Sequence, residues 1–312
     1  MKIGVLFSGQ GAQFSNMGLD FYQNSKVYQQ TLRRLSDYLQ KDLLTLCKNQ
    51  NNELSRTQNV QTAITAFGLG VFYQLQQDLP AVETVAMLGL SLGEYTALMA
   101  AGAFDEKTGI RLLQARANYM QADSEQADGS MVAVLKADVQ KVAEICQQVT
   151  SETNHFVGIA NYNTEQQVVV GGQSEAVQQA VKAMKNQGIK KVIPLKVSGA
   201  FHTLLFKNTS QKLADYLTNV PVKDWQTPVI SNTTTEKFVP NKLKATLAKQ
   251  VISPTHFVDC LKNMQKDYQP DLLIEVGPGK TLAKFAKRTL PDVPVVAIGK
   301  WETYQKFLTT LK

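Results

Sequence analysis

The chain has 312 residues, 44% of them apolar and 19% charged, with a formal net charge of +7. This composition supports a large hydrophobic core and excludes intrinsic disorder, which goes with less apolar surface and more net charge. It also excludes a disulfide framework or a cysteine metal site, because the three cysteines, Cys47, Cys146 and Cys260, are odd in number, far apart and without ligand spacing.

Residues 3–7 form an apolar run of the kind found in a parallel-sheet strand covered on both faces. The run breaks at Ser8-Gly9-Gln10-Gly11, too early for the apolar segment of a signal peptide. No stretch approaches the roughly 18 apolar residues of a spanning helix. A reducing, cytoplasmic setting without membrane contact is therefore expected. Leu32, Leu35, Leu39, Leu43 and Leu46 predict one helix over residues 28–47, followed by a polar break at 49–52. Residues 60–75 are apolar nearly all round and predict a buried helix. A strand at 85–88 leads into Gly89-Leu90-Ser91-Leu92-Gly93 and an Ala-rich helix over 94–101, with Gly102 at its C-terminal cap. Another helix is expected over 107–120, where Arg116 and Met120 lie four apart and share a face.

The pattern changes near Gly129. Strands at 131–135, 157–162, 167–171 and 191–195 alternate with helices at 138–149 and 174–187, in the order βαββαβ. Residues 126–197 therefore read as a small α+β insertion in a larger α/β domain formed by 1–125 and 198–312. After it come helices at 204–217, 240–250, 254–268 and 282–290, and strands at 229–231, 272–276 and 295–298.

The glycine-framed Ser91 stands between an apolar strand and a helix, the context in which a serine nucleophile is held above a sheet. Helix N-terminal N–H groups there suit a developing oxyanion, although a helix-capping serine has the same local pattern. A serine nucleophile needs a base. Of the three histidines, His202 sits in a loop before a helix, His155 in a polar link and His256 within a predicted helix. His202 is the favoured partner. Asp105, Asp123, Asp128 and Asp138 lie between Ser91 and His202, none at a convincing strand end, so a Ser–His dyad oriented by a backbone carbonyl is an open possibility. Gln10, framed by Gly9 and Gly11, fits either an oxyanion hole or a plain turn. Arg116 is either a solvent-facing helix residue or a buried clamp for a carboxylate. Basic runs such as Lys284 to Arg288 suit solvated helix faces or an acidic carrier, and no basic strip interleaved with aromatics points to nucleic acid.

Taken together, residues 7–13, 89–94, Arg116 with Met120, 160–163, 198–203 and 275–279 resemble the malonyl-CoA:acyl-carrier-protein transacylases of type II fatty acid synthesis over nearly the full length. The resemblance implies a hydrolase-like parallel-sheet domain with an inserted ferredoxin-like subdomain. It implies Ser91 as nucleophile, His202 as base, and Gln10 with the Leu92 N–H as oxyanion hole. It further implies Arg116 and Met120 at the malonyl group, Asn161 as a supporting site residue, and the Gln250 carbonyl as the group orienting His202. Malonyl-CoA and acyl carrier protein are the implied partners, with no cofactor or metal and a monomeric chain. An acyltransferase component of malonate decarboxylase or of a trans-acting polyketide system would use the same residues. The chain departs from the family pattern at Leu90, where histidine is usual, and at Ala117, Ala200, Thr203 and Phe206.

Overall fold

The computed structural model describes residues 1–311. Its strands are β1 (Lys2–Phe7), β2 (Glu83–Gly89), β3 (Gly129–Leu135), β4 (Val157–Thr164), β5 (Gln167–Gln173), β6 (Val192–Pro194), β7 (Val229–Ile230), β8 (Thr255–His256), β9 (Leu272–Val276) and β10 (Val295–Ile298). They form two five-stranded sheets, in the orders β10-β9-β1-β2-β7 and β6-β3-β5-β4-β8.

Every pairing in the first sheet is parallel. Its central strands are buried end to end, Ile3 to Phe7 in β1 and all of β9, because helices cover both faces. The helix Thr57–Asp78, apolar on nearly every side, is one of these covers. The strand sequence reverses direction across β1, since β2 and β7 lie to one side and β9 and β10 to the other. Loops leaving the carboxyl ends of β1, β2 and β9 therefore converge on one crevice, where α/β sheets usually bind ligands.

The chain leaves β2 through the helices Leu92–Ala100 and Glu106–Gln126, builds four strands of the second sheet, β3 to β6, and only then returns to β7 beside β2. In the second sheet β3, β5, β6 and β4 pair antiparallel, and β8 adds in parallel to β4. The two-residue side-chain period divides its faces. Val132, Val134, Val168 and Val170 join a separate apolar cluster with Ile145, Val149 and Met184 of two covering helices, Val139–Thr153 and Ser174–Asn186. Met131, Ala133 and Val169 point the other way and line the crevice.

Three expectations need correction. Residues 28–47 form two helices, Lys26–Leu39 and Leu43–Lys48, because Gln40 adopts φ 50° and Asp42 caps the second through Thr45 N. The leucine spacing runs across this break and hides it. The expected helix over 254–268 begins only at Phe257, since Thr255–His256 is extended to pair with Asn161 and Tyr162 of β4. The one over 204–217 opens with a 3-10 turn, Leu204–Phe206, before the helix Lys207–Thr218. Two further helices, Leu19–Asn24 and Trp301–Thr310, went unpredicted. The spacing of Trp301, Tyr304 and Phe307 was a usable signal for the second. Among the described residues no helix is long and apolar enough to cross a membrane.

Candidate active site

The elbow after β2 is forced by close packing. A Cβ on Gly89 would lie 1.9 Å from the Gly93 carbonyl carbon, and one on Gly93 would lie 2.3 Å from the Phe7 carbonyl oxygen. No side chain fits at either position. The turn holds Ser91 at φ 54°, ψ −104°, a strained conformation for a residue with a Cβ. Its N–H donates to Asn232 Oδ1 at 2.8 Å. Its Oγ lies 2.7 Å from His202 Nε2 and accepts from Arg116 Nη2 at 3.0 Å.

His202 is also left-handed, at φ 62°, and buried. Its Nδ1 lies 3.0 Å from the Gln250 carbonyl oxygen, which orients the ring with Nε2 toward Ser91. Burial, and then the positive charge of Arg116, push the imidazole down to about 4, so it is neutral at ordinary pH. The four aspartates between Ser91 and His202 are occupied elsewhere. Asp105 and Asp138 cap helices, Asp123 holds Thr209, and Asp128 accepts from Ser174 Oγ at 2.6 Å. Of the other histidines, His155 faces Glu175 at 3.6 Å and His256 stacks on Tyr162 at 4.8 Å.

Arg116 is fully buried, from the helix Glu106–Gln126. Besides Ser91 Oγ it donates to Gln61 Oε1 at 2.7 Å and Gln250 Oε1 at 3.0 Å, and its guanidinium carbon lies 5.2 Å from the Tyr95 ring centre. Burial holds its pKa below the usual arginine value. No carboxylate lies within ion-pair distance of it among the described residues, and its Nε has no acceptor there. A buried cation beside a serine hydroxyl and short of an anion suits a carboxylated acyl group.

Gln10 and Leu92 line the same crevice as Ser91 and His202. The Gln10 side chain is tied at both ends, donating to Thr57 Oγ1 at 3.3 Å and accepting from Gln61 Nε2 at 3.4 Å. The strand end before it is anchored by Ser8 Oγ, which donates to buried Glu275 at 2.9 Å. Met120 packs against Gln61, its Sδ 3.6 Å from Nε2. Asn161 reaches the crevice from β4 and donates to Thr255 Oγ1 at 2.7 Å. All eight sequence-derived site residues thus meet around one crevice.

The departures at 90, 200, 203 and 206 are absorbed by packing. Leu90 joins the apolar cluster of Leu88, Phe257, Leu282 and Phe285. The Thr203 hydroxyl donates to the Ala200 carbonyl at 2.6 Å, and Phe206 packs on Phe201 at 5.2 Å.

Sequence reasoning missed Gln61, Glu94 and Asn232. Glu94 left a trace, as the one charged side chain of the helix Leu92–Ala100, whereas Gln61 is masked by the neighbouring Gln58, Asn59 and Thr62. Asn232 left none, because its role depends on β7 lying beside β2.

The sequence matches the acyl transferase domain family over residues 5–310. It is 32% identical to the malonyl CoA-acyl carrier protein transacylase of Bacillus subtilis, in an alignment covering 100% of this chain and 98% of that one. The crystal structure of MCAT from Streptococcus pneumoniae superposes with a TM-score of 0.93 at 35% identity, covering 99% of each chain. A malonyl-transacylase in complex with its type II PKS acyl-carrier protein superposes with a TM-score of 0.94 at 29% identity, over 99% of this chain and 100% of that one. With a match that takes in both sheets and every residue of the crevice, the chain belongs to the acyl transferase domain family.

Proposed function

We propose that this chain transfers a malonyl group from malonyl-CoA to the phosphopantetheine thiol of an acyl carrier protein through a malonyl-Ser91 intermediate. The observation that carries the reading is the buried Arg116, 3.0 Å from Ser91 Oγ and with no carboxylate at ion-pair distance among the described residues. The names of the similar transacylases supply the donor and acceptor.

In the first half-reaction neutral His202 Nε2 takes the Ser91 Oγ proton as the hydroxyl attacks the thioester carbon. Gln10 and the Leu92 N–H stabilise the tetrahedral oxyanion. The intermediate collapses, the C–S bond breaks, and the imidazolium returns the proton to the departing CoA sulfur. In the second half-reaction His202 takes the proton of the carrier thiol as its sulfur attacks the malonyl ester. The Ser91 C–O bond then breaks and Oγ recovers the proton. Arg116 holds the free malonyl carboxylate throughout, beside Met120, while the Gln250 carbonyl keeps the His202 tautomer. Asn161 supports the crevice wall through Thr255.

Residues 1–125 and 198–312 are read as a hydrolase-like domain and 126–197 as an inserted ferredoxin-like subdomain. The strand order β6-β3-β5-β4, with two helices on one face and its own apolar cluster, supports this. The reading takes the monomer as the working unit and places the enzyme in the cytoplasm. A second reading, a trans-acting polyketide component, keeps these residues and changes only the carrier. It is favoured by the similarity to the transacylase bound to a type II PKS carrier.

Intact-mass measurement after malonyl-CoA tests the proposal. The chain should gain one malonyl group, lose it on adding a fatty-acid-type carrier, and gain nothing as Ser91→Ala. Transfer to a polyketide carrier alone would favour the second reading, and no mass gain would overturn both.

A further inference from the structure

Glu94 has no exposed surface and is the one acidic side chain of the helix Leu92–Ala100, three residues past the nucleophile, where burial pushes its carboxyl group up to about 8. A buried carboxylate costs stability unless its oxygens are satisfied, so its contacts are informative. Oε1 accepts from the Asn232 backbone N–H and Oε2 from the Gln250 side-chain amide. Neither partner is idle. Asn232 Oδ1 accepts the Ser91 N–H at 2.8 Å. The Gln250 amide donates also to the Ser91 carbonyl at 3.0 Å, while its Oε1 accepts from Arg116 Nη2 at 3.0 Å. The Gln250 backbone carbonyl meanwhile faces His202 Nδ1.

The Gln250 amide has two orientations, and its neighbours choose between them. With Glu94 Oε2 accepting, the NH2 group faces Glu94 and the Ser91 carbonyl, and Oε1 faces Arg116. With the amide turned over, Oε1 would oppose two oxygens and the NH2 group would oppose a guanidinium donor. We propose that Glu94 is a positioning residue that locks the Gln250 amide and thereby the Arg116 guanidinium, so that this acidic side chain, which touches no substrate, sets the preference for carboxylated over plain acyl groups. The inference rests on the malonyl-transfer reading and adds to it a determinant of selectivity.

Glu94→Gln is nearly isosteric and tests the lock directly. The Asn232 backbone N–H cannot turn, so the new carboxamide presents its oxygen there and its NH2 group to Gln250. Either two donors now meet, or Gln250 turns over and deprives Arg116 of its acceptor. Malonyl and acetyl loading of Ser91 from their CoA thioesters are compared by intact mass, for folded protein verified by thermal melting. The expected result is a malonyl-to-acetyl ratio lower by roughly tenfold in E94Q, since an unmatched buried donor costs about that much. In Glu94→Asp, which keeps both acceptor oxygens, the ratio should stay within about threefold of the wild type. A general loss of structure would lower both loadings together and leave the ratio in place.

Gln250→Met provides a second route should E94Q not fold. It removes the amide and keeps the backbone carbonyl on His202, and the ratio should fall as in E94Q. An unchanged ratio in E94Q, or in Q250M where E94Q does not fold, overturns the inference and leaves malonyl transfer standing. A wild-type chain that takes no malonyl group overturns the reading beneath it.

Discussion

The parallel sheet and the second sheet share one crevice but meet it differently. From the parallel sheet the crevice receives groups carried by loops and helix starts, Gln10 after β1 and Ser91 after β2. The second sheet contributes residues from within its strands, Met131, Ala133, Val169 and Asn161. Loop residues are free to adopt unusual backbone conformations, and Ser91 at φ 54° and His202 at φ 62° do so. Strand residues are held by ladder bonds on both sides and alternate strictly in direction. They make a firm wall but cannot aim a group off the pleat. The molecule therefore separates chemistry from enclosure, and substitutions on the two sides should differ in size and kind.

The largest effects should come from the loop side. Ser91→Ala should abolish the acyl-enzyme, and His202→Ala should slow its formation by about a thousandfold or more in stopped-flow loading. Retention of more than a tenth of the wild-type rate in either would break the contrast. Arg116→Ala should lower malonyl loading by about tenfold to a hundredfold, the usual range for a lost charge-assisted bond, and leave acetyl loading less affected. Equal losses for both acyl groups would remove Arg116 from the selectivity argument.

The pH dependence is a subtler test. A base acts only when unprotonated, and burial pushes His202 down to about 4. The acid limb of the loading rate should therefore fall near pH 4, well below the ordinary histidine value of about 6.5. A limb near 6.5 would mean that the imidazole is more solvated than its burial indicates. The smallest effect should come from the wall. Asn161→Ala breaks one side-chain bond to Thr255 and should change loading by about fivefold or less. A loss comparable with that of Arg116→Ala would show that the second sheet does more than enclose.

Legibility followed the range of each physical signal. The elbow was plain because its cause is local, two glycines around one serine between an apolar strand and a helix. The strands of both sheets other than β8 were plain because pleat and burial impose short-period patterns. Gln40 and Thr255–His256 were misread for the opposite reason. One is a left-handed break inside an unbroken leucine spacing, and the other takes its extended form from pairing with β4, 94 residues earlier at Asn161–Thr255.

What the residues alone determined was the set of reactive side chains and the order of the elements that carry them. Only the tertiary structure decided which of them meet. It buried Arg116, where periodicity allowed a solvent-facing role, and replaced a third acidic member with the Gln250 carbonyl on His202. It also tied Glu94, Gln250 and Asn232 into one network across β2 and β7. The reason is distance along the chain: Ser91 and His202 are 111 residues apart, and no local pattern encodes a hydrogen bond of 2.7 Å between them. Such contacts exist only because the chain, after the four strands β3 to β6 inserted between β2 and β7, returns to the parallel sheet.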